Sequence, residues 1–235
     1  MLPVINNPWN VKTSDARDIQ SRLRQQVILT PLPDSICTIA AVDVSYTRWD
    51  KIGYAVLGIF SVINDNGNET FTVKEESIKT RIDSVNFPYI PGYLSFREIP
   101  MLLPLFEKTG VKIDLIIADG QGIAHPRGLG LASHLGLIFN IPSIGCAKSK
   151  LIGEYSEPGM HKGDYSDLYI KNRVVGAVLR SKEKCRPLFV SPGYKCTIKD
   201  VREMILKLCT KYRLCEPIRR VDGISKTLRK SYQNK

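Results

Sequence analysis

Apolar positions in the first half of the chain come in strand-like blocks, and in the second half such blocks alternate with stretches of helical spacing. Ser14 to Val27 comes first and carries Ile19, Leu23 and Val27 at i, i+4 and i+8, which predicts an amphipathic helix. Three strand blocks follow at 36–46, 53–63 and 69–79. They read as a meander because Asp65-Asn66-Gly67 is a hairpin-turn sequence. Phe87-Pro88-Tyr89-Ile90-Pro91-Gly92 holds two prolines that exclude helix and stiffen a loop. The segment 95–108 has helical character, with Pro100 and Pro104 implying a break or kink. Beyond it the pattern predicts a strand at 113–118, a helix at 128–140 and a strand at 142–147. Further strands fall within 168–191, and helices near 198–212 and 222–232, the last containing an unfavourable Gly223. Strands first and helical crossovers later predict a mixed β-sheet flanked by α-helices, one α/β domain over 1–235 with a helical C-terminal segment.

Charge adds a partner class to this picture. The chain has 34 Lys+Arg against 23 Asp+Glu, a net charge of +11. Residues 195–235 hold twelve Lys/Arg and four Asp/Glu, so most of the excess sits at the C-terminal end. A polyanion is the natural partner for such a surface, although a solvated helical face would look the same. Six cysteines without C-x-x-C spacing argue against a zinc site and for reduced thiols, hence a cytoplasmic protein. The N-terminus lacks the basic start and apolar core of a signal peptide. Gly128 to Ala147 runs twenty residues without Asp, Glu, Lys or Arg, but four glycines, His134, Asn140 and Pro142 make it helix plus strand rather than a membrane span.

Candidate chemistry concentrates in a few carboxylates. Asp43 interrupts the apolar run Thr38 to Tyr46, and a buried carboxylate is costly unless it is paired or holds a cation. Asp119 ends the strand at 113–118 and opens Asp119-Gly120-Gln121-Gly122-Ile123-Ala124-His125-Pro126-Arg127, where glycines, an imidazole and a guanidinium follow within nine residues. Such glycines let backbone approach a ligand, His125 is suited to proton exchange near neutral pH, and Arg127 to gripping a phosphate. Glu98 is ambiguous. Ser95-Phe96-Arg97-Glu98 fits a helix capping box, whereas with Asp43 and Asp119 it completes an oxygen-ligand set for one or two hard cations.

Four segments together resemble the endonuclease V family: Ala41 to Tyr46, Pro88 to Glu98, Asp119 to Arg127, and Gly145-Cys146-Ala147-Lys148-Ser149. The resemblance spans roughly 15–230, and Val221 to Lys226 is similar to the family's C-terminal motif. It implies a ribonuclease H-like fold in which the first and fourth strands lie side by side, bringing Asp43 next to Asp119. It also implies a Mg²⁺-dependent nuclease, with Mn²⁺ as a substitute, that recognises deoxyinosine in DNA, and in some branches inosine in RNA. Cleavage at the second phosphodiester bond 3′ to the lesion would leave a 3′-hydroxyl and a 5′-phosphate. By matching position, Asp43, Glu98 and Asp119 are the implied metal ligands, with His125 beside them and Lys148 facing phosphate. Tyr89 matches the wedge that fills the space of a displaced base. Gly92, Leu94 and Gly120, with Gly122, Arg127 and Ser149, are the implied base- and strand-recognition set. A role for Gln121 is left open. The expected partner is inosine-containing nucleic acid, bound by a monomer away from membranes. A junction resolvase of the same fold, or a module that binds inosine without cutting, are the competing readings.

Overall fold

The computed structural model describes residues 1–46, 51–63 and 70–233 of the 235. Among these, eight strands form one sheet in the order β3-β2-β1-β4-β5-β8-β7-β6. The strands are β1 (Thr38–Ser45), β2 (Ile52–Ile63), β3 (Thr72–Ser84), β4 (Leu115–Ala118), β5 (Ser143–Ala147), β6 (Tyr165–Ile170), β7 (Arg173–Leu179) and β8 (Leu188–Tyr194). The helices are α1 (Thr13–Arg24), α2 (Leu94–Glu107), α3 (Leu131–Phe139), α4 (Ile198–Leu208) and α5 (Glu216–Gln233). β1 to β3 form the antiparallel meander expected, while the turn sequence at 65–67 lies outside the described residues. β1 pairs in parallel with β4, and β4 with β5, so the first and fourth strands are neighbours in a ribonuclease H-like arrangement.

Period-2 alternation decides which side each strand residue serves. Ile39 and Ala41 of β1 join Ile117, Ile205, Leu208, Ile218 and Val221 in the core under α4 and α5. Ala40, Val42 and Val44 join Ile99, Leu102, Leu131 and Leu135 in the core under α2 and α3. α1 closes one end, burying Ala16, Ile19 and Leu23 against Phe87, Phe96, Leu129 and Tyr194. Asp43 shares the parity of Ile39 and Ala41 and therefore belongs to the α5 side.

Several boundaries differ from the sequence expectation for identifiable reasons. α2 runs without a break through Pro100 and Pro104. Both prolines are half-buried, and each deprives one carbonyl, of Phe96 and of Pro100, of its i+4 donor while the helix continues. α3 starts at Leu131 because Gly130 is still extended at its N-cap. α5 begins six residues earlier than expected and absorbs Gly223, whose position faces open space. The uncharged run 128–147 resolves into α3 and β5, and among the described residues no helix is long and apolar enough to cross a membrane.

Candidate active site

The parallel register pairs Val42 with Ala118, and the Asp119 amide donates to the Val42 carbonyl at 3.1 Å. The next residue on each strand is an aspartate, so Asp43 and Asp119 emerge side by side. α5 then crosses this end of the sheet. Asp222 and Ser225 sit one helical turn apart on its buried face, and the Ser225 hydroxyl donates to Asp43. Carboxylate oxygens of Asp43, Asp119 and Asp222 all lie within 4.8 Å of one another.

Glu98 approaches from α2. The capping-box alternative fails because Tyr93, not Ser95, occupies the N-cap, and the Ser95 hydroxyl pairs with His134 Nδ1 at 3.0 Å. Glu98 is 4% exposed, and its carboxyl is raised well above the usual range by burial and by the charges of Asp43 and Asp119. Burial, then the Asp119 charge, pushes Asp43 up to about 7. Burial also raises Asp119, against the pull of Lys148.

Lys148, one residue beyond β5, is the local counter-charge. Its ammonium donates to Asp119 and, at 2.7 Å, to Asp222. Burial works against this charge, yet the two carboxylates hold the lysine above its ordinary value. Burial likewise opposes ionisation of Asp222, but hydrogen bonds from Lys148 and Lys226 keep it below the usual range. Four acids against the two ammoniums of Lys148 and Lys226 leave a site with too much negative charge for its burial, and a hard cation fits that imbalance.

A cavity of about 310 Å³ opens beside Asp119 and Lys148. Tyr89, Gly92 and Leu94 line one side, and Gly120, Gln121 and Ser149 another. Tyr89 is 63% exposed at its rim, its ring 6.0 Å from that of Tyr46. Gly92 has φ +82°, a conformation that disfavours any side chain, and a Cβ there would meet Arg127 at 2.9 Å. Gln121 donates to the Ser149 carbonyl at 3.2 Å, while its own carbonyl oxygen is buried without a hydrogen-bond partner.

Three expected site residues sit elsewhere or act differently. The Gly92 carbonyl accepts from His125 Nε2 at 3.0 Å, and His125 Nδ1 accepts the Arg127 amide at 3.2 Å, which fixes the neutral tautomer. Burial, then the Arg127 charge, pushes this histidine down to about 4, so the ring is neutral at neutral pH. Arg127 spends its guanidinium on the Gly92 carbonyl and on Gln20 of α1 and stacks on Tyr93. Gly122 packs on β8, its amide donating to Ser191, because a Cβ there would meet the Pro192 carbonyl at 2.0 Å. Neither Arg127 nor Gly122 lines the cavity.

The sequence reading missed Asp222, Ser225 and Gln20. For Asp222 a signal existed, since it lies in the C-terminal motif with Ser225 three residues on. Nothing local marks Gln20, a fully buried amide that braces the Gly92 and Leu129 carbonyls.

Comparison with known proteins agrees with this geometry. The family model described as Endonuclease V matches residues 21–223. Endonuclease V of Dictyoglomus thermophilum is 46% identical over 201 residues, covering 86% of this chain and 84% of that protein. That of Kosmotoga olearia is 40% identical over 225 residues, 95% of each. The crystal structure of the Streptomyces avermitilis enzyme superposes with a TM-score of 0.86 at 33% identity over 97% of this chain and 98% of that one. The Ciona intestinalis enzyme, crystallised with a 24mer DNA containing an inosine followed by a ribo-adenosine, gives 0.76 at 28% identity over 93% and 98%. The chain belongs to the endonuclease V family of nucleases.

Proposed function

We propose that the protein is a magnesium-dependent endonuclease that recognises deoxyinosine, the deamination product of deoxyadenosine, in DNA. It hydrolyses the second phosphodiester bond on the 3′ side and leaves a 3′-hydroxyl and a 5′-phosphate. The observation that carries this reading is the convergence of Asp43 and Asp222 on Asp119, which itself lines the cavity that Tyr89, Leu94 and Gly120 border. A reaction centre and a base-sized recess therefore adjoin.

The three aspartates, with Glu98 buried within reach of the charges of Asp43 and Asp119, would hold the cation. Bound magnesium supplies neutralisation of phosphate charge and a lowered pKa for an attacking water. Manganese suits the same oxygen set. Lys148 keeps a positive charge beside Asp119 where phosphate must approach, and His125 and Arg127 hold the Gly92 turn rather than carry protons. An exposed Tyr89 between two prolines is suited to fill the space a flipped base leaves. Hypoxanthine differs from adenine in presenting O6 as an acceptor and from guanine in lacking the 2-amino group. A tight recess can reject both normal bases on those grounds.

Such an enzyme acts in repair of deaminated DNA, as a monomer in the cytoplasm, where its six free thiols stay reduced. A second reading, cleavage of inosine-containing RNA, is favoured by the ribo-adenosine after inosine in the Ciona complex. Nicking of matched strands carrying deoxyinosine in DNA or inosine in RNA, with magnesium and with EDTA, tests both. Cutting confined to the deoxyinosine strand and abolished by EDTA is expected. Equal cutting of strands without inosine would overturn the assignment.

A further inference from the structure

Behind the wall formed by His125 lies a second cleft, of about 690 Å³, that the proposed reaction does not use. Arg24 of α1, Arg127, and Lys171 and Arg173 at the β6–β7 turn all line it, and among the described residues no carboxylate does. Among the described residues, Arg24, Lys171 and Arg173 have no acidic partner, unlike Arg219, Arg220 and Lys226 on α5. Arg24 is laid over Gly128, which has φ +66° and where a Cβ would come within 2.5 Å of Arg24 Nε. Ile123, Ile170 and Val175 supply apolar surface between the charges, and Ser21 and Asn172 uncharged polar groups.

We propose that this cleft binds the sugar-phosphate backbone of the nucleic-acid strand beyond the segment that reaches the carboxylates. The inference rests on the reading of the protein as a nuclease for inosine-containing strands. His125 lines both cavities, so a strand whose base occupies the first recess passes next to the second. A small anion needs converging donors. Here unpaired cations on two separate segments, α1 and the β6–β7 turn, flank an open cleft, the pattern a chain of phosphates matches. Apolar side chains between them suit sugar faces.

The test compares wild type with the Arg24→Gln/Lys171→Gln/Arg173→Gln variant, leaving Arg127 intact because it braces Gly92. Binding is measured in EDTA, so that nothing is cut, over a salt series. One single strand just spans the inosine and the two bonds 3′ to it; the other extends about ten nucleotides further on each side. Three lost phosphate contacts should flatten the slope of log affinity against log salt on the long strand by about 2, at roughly 0.7 per contact. Over a fourfold rise in salt that is about a 15-fold smaller loss of affinity than wild type shows. Affinity for the short strand should be unchanged. A slope change below about half that value, or an equal loss on both strands, overturns the proposal. Should the triple variant melt early, Lys171→Gln/Arg173→Gln on the exposed turn gives the same test with a change of about 1.4. Repeating the long-strand series with adenine in place of inosine separates the two readings. The cleft's contribution must persist there, whereas the proposed function fails if wild type shows no preference for inosine.

Discussion

Asp43 shows what the site demands of one side chain. It sits in a strand whose other core positions are apolar, is 8% exposed, and lies beside Asp119, with the Ser225 hydroxyl donating to it. Asp43→Asn preserves shape and the Ser225 hydrogen bond but removes the negative charge a cation needs. Loss of several kcal/mol of transition-state stabilisation is expected, a fall of more than about 100-fold in single-turnover nicking. The same variant should melt higher than wild type at pH 8 without divalent cation, since a repelled buried charge has gone. Near-wild-type nicking with a normal melt would remove Asp43 from the metal site. Tyr89 makes a different demand, because it is exposed at the rim with its ring tilted against Tyr46. Tyr89→Ala should cut the preference for inosine-containing over normal duplex by roughly tenfold, as base-aromatic contacts contribute about 1–3 kcal/mol each. Paired cleavage rates on the two duplexes measure it, and an unchanged ratio would make the 88–91 loop an ordinary surface corner.

At the scale of elements, α5 combines two jobs that composition alone merges into one basic tail. Its buried face carries Ile218 and Val221 into the core and delivers Asp222 and Ser225 to the site. Its outer face carries the arginines, but Arg219 pairs with Glu216 and Arg220 with Glu75. Removing α5 therefore destroys core and site together and says nothing about charge. Neutralising Arg219 and Arg220 to Gln should change the salt slope of strand binding by less than about 1, because exposed ion pairs already offset these charges. A larger change, measured on a long inosine strand, would show that the pairs open on binding. α1 is an element whose role no motif reveals. Leu23 and Ile19 anchor it to the body, which lets Gln20 hold the Gly92 turn from behind.

For the whole molecule, the acidic cluster links stability to pH and to metal. Asp43 and Glu98 bind protons more tightly in the folded chain than in the unfolded one. Their contribution is fully present below the unfolded carboxylate range and is lost as pH rises; for Asp43 that loss is complete above about 7. A divalent cation reverses the sign by binding the ionised form. Magnesium should thus raise the melting temperature at pH 8 and have little effect at pH 5, a difference on the order of a few kcal/mol in unfolding free energy. Thermal melts at the two pH values, with and without magnesium, measure it. An equal magnesium effect at both would show that the cation does not take the place of these protons.

Local pattern was enough for the elements and for half the site. Alternation and 3.6-residue spacing are properties of neighbouring residues, so the meander, the β4-α3-β5 unit and the order of strands and helices were legible in the chain. A charged residue inside an apolar strand is also a local anomaly, and it pointed to Asp43, while Asp119 was marked by its place at a strand end. Which carboxylates meet is not local. The parallel register of β1 on β4, the crossing of α5 over their ends and the depth of Glu98 were fixed only by packing, and packing excluded the cap for Glu98 and brought in Asp222. The same holds for His125, whose sequence context suggested a proton carrier. Burial and two backbone hydrogen bonds made it a neutral brace, because the energy of an imidazole depends on what surrounds it in space.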